Sequence, residues 1–152
     1  MNEQNKQNLF EQLKIDEGIK YEIYLDHLGL PTFGVGHLVV EDDPEYPLPV
    51  GSGVSEDRVW EVFNKDLDTM ITECVILFGD DFAEFPGEVQ EIVANMMFNM
   101  GRPRLSKFKN FCAALHERDW KRAAVEGRDS IWYRQVTNRA ERLMGRLENV
   151  GI

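Results

Sequence analysis

IDEGIKYEIYLDHLGLPTFGVGHL, residues 15–38, decides between an all-helical chain and one that also carries a sheet. Upstream of it, Leu9, Phe10 and Leu13 share one helical face. A first helix is expected over about 5–17, with Gly18 in the C′ position just past its end. Within the run, Tyr21, Ile23 and Tyr24 lead into the turn-like DHLG and then PTFGVGHLVV, which reads as a short antiparallel hairpin or meander.

Further along, EDDPEYPLPVGSG, residues 41–53, holds too many prolines and glycines for regular structure and is expected to be an exposed acidic loop. Ser55 is a suitable N-cap for a long helix, because Val59, Val62, Phe63, Met70, Cys74 and Leu77 recur at three or four residues. A third helical face carries Val89, Ile92, Val93, Met96, Met97 and Met100 and is ended by GRPR. Amphipathic stretches follow over roughly 105–116, 119–126, 129–134 and 137–148. The fold class is therefore α+β, mainly helical, with one small antiparallel sheet near the N-terminus. A long helix between a small sheet-bearing lobe and a helical lobe would leave a cleft, where ligands usually bind.

A chain of 152 residues is the size of one domain, and 43% hydrophobic with 11% aromatic residues excludes a disordered or low-complexity polymer. Two cysteines exclude a disulfide-built scaffold. No apolar window has the length of a membrane span, and MNEQNKQNLFEQLK is too polar for a signal peptide, so a cytoplasmic protein without membrane insertion is expected. The net charge of −10 argues against nucleic acid and anionic membranes as partners. That average conceals a dipole: residues 38–68 carry −7 and residues 101–152 carry +6.

The sequence breaks a local rule at Asp16 and Glu17. Both sit in the last turn of the first helix, whose negative end disfavours carboxylates by roughly 0.3–1 kcal/mol each. A carboxyl that keeps its proton near neutral pH is what a general acid requires, and burial would help it do so. An exposed helix end that tolerates two acids fits these residues as well. Asp26 in the turn and Thr32 on the returning strand, taken singly, are ordinary turn and strand residues. Gly34 and Gly36 mark a bulge or a close backbone approach and fail as a dinucleotide fingerprint. His27, His37 and His116 are too scattered, and Cys74 and Cys112 too isolated, for a zinc site. The Met96, Met97, Met100 stripe and Trp60, Trp120 and Trp132 read as packing, although Trp132 and Tyr133 could line a cleft.

Together these residues resemble a known family. Residues 15–38 closely resemble the active-site region of the phage lysozymes of glycoside hydrolase family 24, of the T-even phage type. There a Glu ends the first helix, an Asp follows nine residues on and a Thr six further, as Glu17, Asp26 and Thr32 do here. NKDLD (64–68), NMMFNMG (95–101), SIWYRQ (130–135) and TNRAER (137–142) match in the family's order and extend the likeness over nearly the whole chain.

The resemblance implies one lysozyme domain over 1–152 with a two-lobed fold: a small lobe over about 18–54, a linking helix over about 55–78, and a helical lobe over about 79–152 joined by helix 5–17. It implies a muramidase that cuts the β-1,4 bond between N-acetylmuramic acid and N-acetylglucosamine in peptidoglycan without metal or cofactor. Glu17 would be the general acid, and Asp26 assisted by Thr32 would activate water on the opposite sugar face, giving inversion. By the same carry-over Leu38 and Phe98 line the sugar cleft, Arg139 sits near Glu17, and His37 with Asp66 forms a buried structural ion pair. Where relatives carry a substrate-contacting Ser and Asn, this chain has Phe111 and Glu126. The stretch between His37 and Asp66 is shorter than in the best-known members and holds the acidic loop in place of most of a helix.

The leading expectation is a monomeric free endolysin, held in the host cytoplasm until a holin lesion admits it to the wall. A tail-associated lysozyme acting at entry is the alternative, since GRDSIWY resembles that branch; the absence of flanking assembly domains favours the free enzyme. A catalytically silent wall-binding module is a third reading. The basic C-terminal stretch is expected to face the polymer.

Overall fold

A computed structural model describes residues 1–151. Helix α1 (Glu3–Glu17) leads into strands β1 (Lys20–Leu25), β2 (Pro31–Gly34) and β3 (His37–Leu38). Helices α2 (Glu56–Phe78), α3 (Asp81–Glu84), α4 (Gly87–Leu105), α5 (Lys109–His116), α6 (Trp120–Arg128), α7 (Ile131–Gln135) and α8 (Thr137–Glu148) complete the chain. This is the expected mainly helical α+β class. Two compact units divide it, one of Phe10–Thr69 and one of Met1–Leu9 with the residues from Met70 onward. No helix among the described residues is long and apolar enough to cross a membrane.

The unit Phe10–Thr69 is organised by its sheet, of order β1-β2-β3 and antiparallel throughout. Gly18, at φ +78°, adopts the left-handed conformation that ends α1 and turns the chain into β1. Gly34 and Gly36, at φ +63° and +65°, close the tight turn between β2 and β3. A Cβ on Gly34 would stand 3.2 Å from Val59 Cγ1, so this glycine also admits α2 against the sheet. Ile23, Phe33, Val39, Val54, Val59 and Val62 form the core beneath. Ser55 caps α2 as expected, its Oγ accepting from Arg58 N at 3.1 Å.

One expectation for this unit needs correction. The acidic stretch 41–53 is irregular, but it is not simply exposed. It descends in successive turns, Asp43 N–Val40 O, Tyr46 N–Asp43 O and Leu48 N–Glu45 O, and two of its acids are buried, Asp43 at 5% and Glu45 at 8% exposure. Arg58 makes this possible. Its guanidinium donates to both oxygens of Glu45 at 2.8 and 2.9 Å and lies 3.5 Å from Asp43, so the carboxylates are buried with a fixed counter-charge. Residues 51–54 then run beside β1, with Ile23 N donating to Ser52 O and Val54 N to Tyr21 O, and cover its edge.

The helical unit is built on α4. Val89, Ile92, Val93, Met96 and Met97 are at most 1% exposed, so the methionine stripe is core. Gly101, at φ +77° and ψ 163°, breaks the helix where GRPR was expected to end it, and a last turn re-forms up to Leu105. Trp132 is buried, its Nε1 donating to Asn99 Oδ1 at 2.7 Å, and so is a packing residue. Burial pushes the Cys74 thiol up to about 12 and that of Cys112 to about 11, which makes both core thiols rather than nucleophiles.

Candidate active site

The pleat of the three-stranded sheet lines up the candidate residues. Thr32 lies opposite Tyr24 on β1 and opposite Leu38 on β3. Directly paired residues project to the same face, so the three side chains form a row across the sheet. Asp26 follows Tyr24 by two residues, and Glu17 ends the helix that feeds β1. Glu17, Tyr24, Asp26, Thr32 and Leu38 all line one open depression of about 510 Å³, with Leu30 and Gly36 among its walls. Its carboxyls, hydroxyls and apolar walls all come from the unit Phe10–Thr69.

Local hydrogen bonds settle how the polar groups present themselves. Asp26 Oδ1 accepts from Leu28 N at 2.8 Å and Leu30 N at 2.9 Å, while the Asp26 backbone N donates to Leu30 O. This is the turn-forming role expected of an Asp here, and it leaves Oδ2 without a hydrogen-bond partner among the described residues. The Leu30 amide, helped by that of Leu28 and opposed by partial burial, holds the Asp26 carboxyl below its usual range. Thr32, 4% exposed, donates its hydroxyl proton to Leu30 O at 3.0 Å, so its Oγ1 offers lone pairs to a further donor. Glu17 is exposed rather than buried.

His37 projects to the opposite face from this row. Its Nδ1 lies 2.7 Å from Asp66 Oδ2, the expected pair, and its Nε2 lies 2.8 Å from Asp43 Oδ2. With both ring nitrogens on carboxylates, both must donate and the ring is an imidazolium. Burial opposes that charge, but the bonds to Asp66 and Asp43 outweigh it and hold His37 above its ordinary value. Both nitrogens are occupied, so His37 braces the sheet against α2 and the loop.

Phe98, Phe111, Glu126 and Arg139 belong to the helical unit. Phe98 is half-buried. Phe111, 1% exposed, is packed in the core and floors a depression of about 360 Å³ whose rim includes Glu126, Lys107 and Lys109. Arg139, 8% exposed, donates from Nε to Asn95 Oδ1 at 2.9 Å.

Sequence reasoning missed Tyr24 as a site residue and Asp43, Glu45 and Arg58 as a network. Tyr24 carried a signal, its place two residues before Asp26 near the end of β1. Arg58 carried one too, as one of only two bases in the −7 segment.

The sequence profile of the family described as phage lysozyme matches residues 14–147, most of the chain and all of the depression. The chain belongs to the phage lysozyme family. Within it, the chain is 29% identical over 167 aligned residues to the pre-baseplate central spike protein Gp5 of Enterobacteria phage T4, a match covering 95% of this chain and 29% of that protein. It is 28% identical to probable T4-type lysozyme 2 of Dictyostelium discoideum, covering 93% and 94% of the two chains. It is 27% identical to the peptidoglycan hydrolase gp36 of Pseudomonas phage phiKMV, covering 93% of this chain and 16% of that one. This phage lysozyme domain thus spans under a third of the spike protein and nearly all of the amoebal lysozyme.

Proposed function

We propose that this domain is a peptidoglycan-cleaving glycoside hydrolase that cuts the β-1,4 bond between N-acetylmuramic acid and N-acetylglucosamine. The observation that carries this reading is a single depression, in a phage lysozyme domain, lined by Glu17, Asp26 and Thr32. The peptidoglycan hydrolase among its relatives supports the same substrate.

The chemistry follows from the two carboxyls and the hydroxyl. An attacking water must point both O–H bonds at acceptors, so that a lone pair faces the anomeric carbon, and must lose one of the two protons as it attacks. Asp26 Oδ2, ionised and open, takes that proton; Thr32 Oγ1, its own proton spent on Leu30 O, accepts a hydrogen bond from the other, which stays on the new anomeric hydroxyl. Glu17, lining the same depression, protonates the leaving glycosidic oxygen. Water attacking from the face opposite the departing sugar inverts the anomeric centre, which requires carboxyls roughly 6.5–9.5 Å apart. Every group in this scheme comes from one chain, and a monomer suffices.

In the cell the enzyme acts as an endolysin that reaches the wall through a holin lesion. The likeness to the phage T4 spike protein favours a second reading, opening of the wall at entry. Activity carried by washed virions would select entry; activity found only in lysates of infected cells would select lysis. The activity itself is tested by incubating purified protein with peptidoglycan and identifying the new reducing ends. Muramic acid ends are expected. Binding without new ends would make the domain a wall-binding module.

A further inference from the structure

A depression lined by two carboxyls is rich in acceptors and poor in donors. Asp26 only accepts, Glu17 gives its proton to the glycosidic oxygen, Thr32 has committed its proton to Leu30 O, and Leu30 and Leu38 are apolar. The sugars of peptidoglycan each bear a 2-acetamido group, whose carbonyl oxygen is the strongest neutral acceptor on the ring and is repelled by a carboxylate. Seating that oxygen requires a donor. Two lining side chains can supply one, His27, exposed on the turn, and Tyr24.

Tyr24 is the fixed one. It lies on β1 opposite Thr32, is half-buried, and has Lys20 Nζ over its ring, 5.2 Å from the centroid. Its hydroxyl has no hydrogen-bond partner among the described residues, although its neighbours in the depression include two carboxyls. We propose that the Tyr24 hydroxyl is the donor that selects N-acetylated sugars in this site, binding the carbonyl oxygen of a 2-acetamido group. The electrostatics suit the role. Partial burial, and then the negative charges of Asp26 and Glu17, push the Tyr24 phenol above its ordinary value, so it stays neutral and keeps its proton at any pH at which the protein works. Lys20 covers one ring face, which leaves the hydroxyl edge for the ligand.

This inference rests on the hydrolase reading, and one experiment separates the two. Wild type and Tyr24→Phe are compared on intact peptidoglycan and on the same polymer after chemical de-N-acetylation, with reducing ends and thermal midpoints measured for both. The loss of one ligand hydrogen bond predicts that Tyr24→Phe keeps the wild-type midpoint and loses about tenfold in kcat/KM on the N-acetylated polymer, chiefly through KM. On the de-N-acetylated polymer the two proteins should be equally active, so the wild-type preference for acetylated substrate collapses by the same factor. Equal losses on both polymers, or no loss on either, would overturn the assignment of Tyr24. If the wild type cuts only the N-acetylated polymer, the tenfold loss at an unchanged midpoint decides alone. A wild type that cuts neither would sink the hydrolase reading instead.

Discussion

Replacing Asp43 by alanine removes the carboxylate that ties the acidic loop to the sheet. Two short hydrogen bonds to an ionised group are lost, from His37 Nε2 at 2.8 Å and from Val40 N at 3.0 Å, along with a long and correspondingly weak one from Arg58 Nη2 at 3.5 Å. Bonds to charged groups contribute about 1.5–3 kcal/mol each. The exposed Val40 amide can recover a water, which places its loss at the low end, whereas the His37 side chain is only 10% exposed and cannot easily do so. Asp66 still accepts from Nδ1, so the imidazolium is not left alone. The net cost is about 3 kcal/mol, or roughly 6–12 °C in Tm for a chain of this size. Because His37 is raised above its ordinary 6.5, its contribution is complete below that pH and is lost as pH climbs through the folded value. Asp43 is lowered below its ordinary 3.8, chiefly by Val40 N and His37 working against burial, so its contribution is present above that pH and lost as pH falls through the folded value. Urea unfolding of wild type and Asp43→Ala should therefore differ most between about pH 4 and 6.5, with the difference shrinking on either side. A difference under about 1 kcal/mol, or one constant from pH 5 to 10, would show that Asp43 does not brace the loop through His37.

Two further substitutions probe the sheet face and its packing. Thr32→Val keeps shape but removes the lone pairs offered to water; reducing-end release should fall about 10²-fold in kcat while stability drops by only about 1 kcal/mol, and activity within threefold of wild type would remove Thr32 from its role. Gly34→Ala forces a side chain into left-handed backbone and against Val59, and should cost about 2 kcal/mol in urea unfolding; a neutral or stabilised variant would show that this approach is not tight.

What the sequence reveals follows the range of the interactions involved. Glu17, Asp26 and Thr32 are positioned by contacts a few residues long, a helix end with Gly18 after it, an Asp bonding amides two and four residues on, and a strand returning across that turn. Such contacts are written in adjacent letters, so the sheet, the turn and the candidate carboxyls are legible. The buried state of Asp43 and Glu45 is not, because it depends on Arg58, more than ten residues away on α2, and an acidic proline-rich run reads as solvated until its counter-charge is found. Phe111 is similar: an aromatic at a position where the family resemblance implies a substrate-contacting Ser cannot be told from a ligand-facing residue until the helices around it are packed. Tyr24 lay in plain view on its strand, but only the register opposite Thr32 shows which face it joins.

On the function proposed above, this phage lysozyme domain cleaves peptidoglycan with Glu17 as its acid. The most direct test is the rate of muramic acid reducing-end release by Glu17→Gln beside the wild type, with both proteins shown folded by circular dichroism. Glu17 is exposed, so the substitution should leave the fold intact. Wild type should release ends and Glu17→Gln should release none above background; a variant that retained the wild-type rate would show that Glu17 is not the acid.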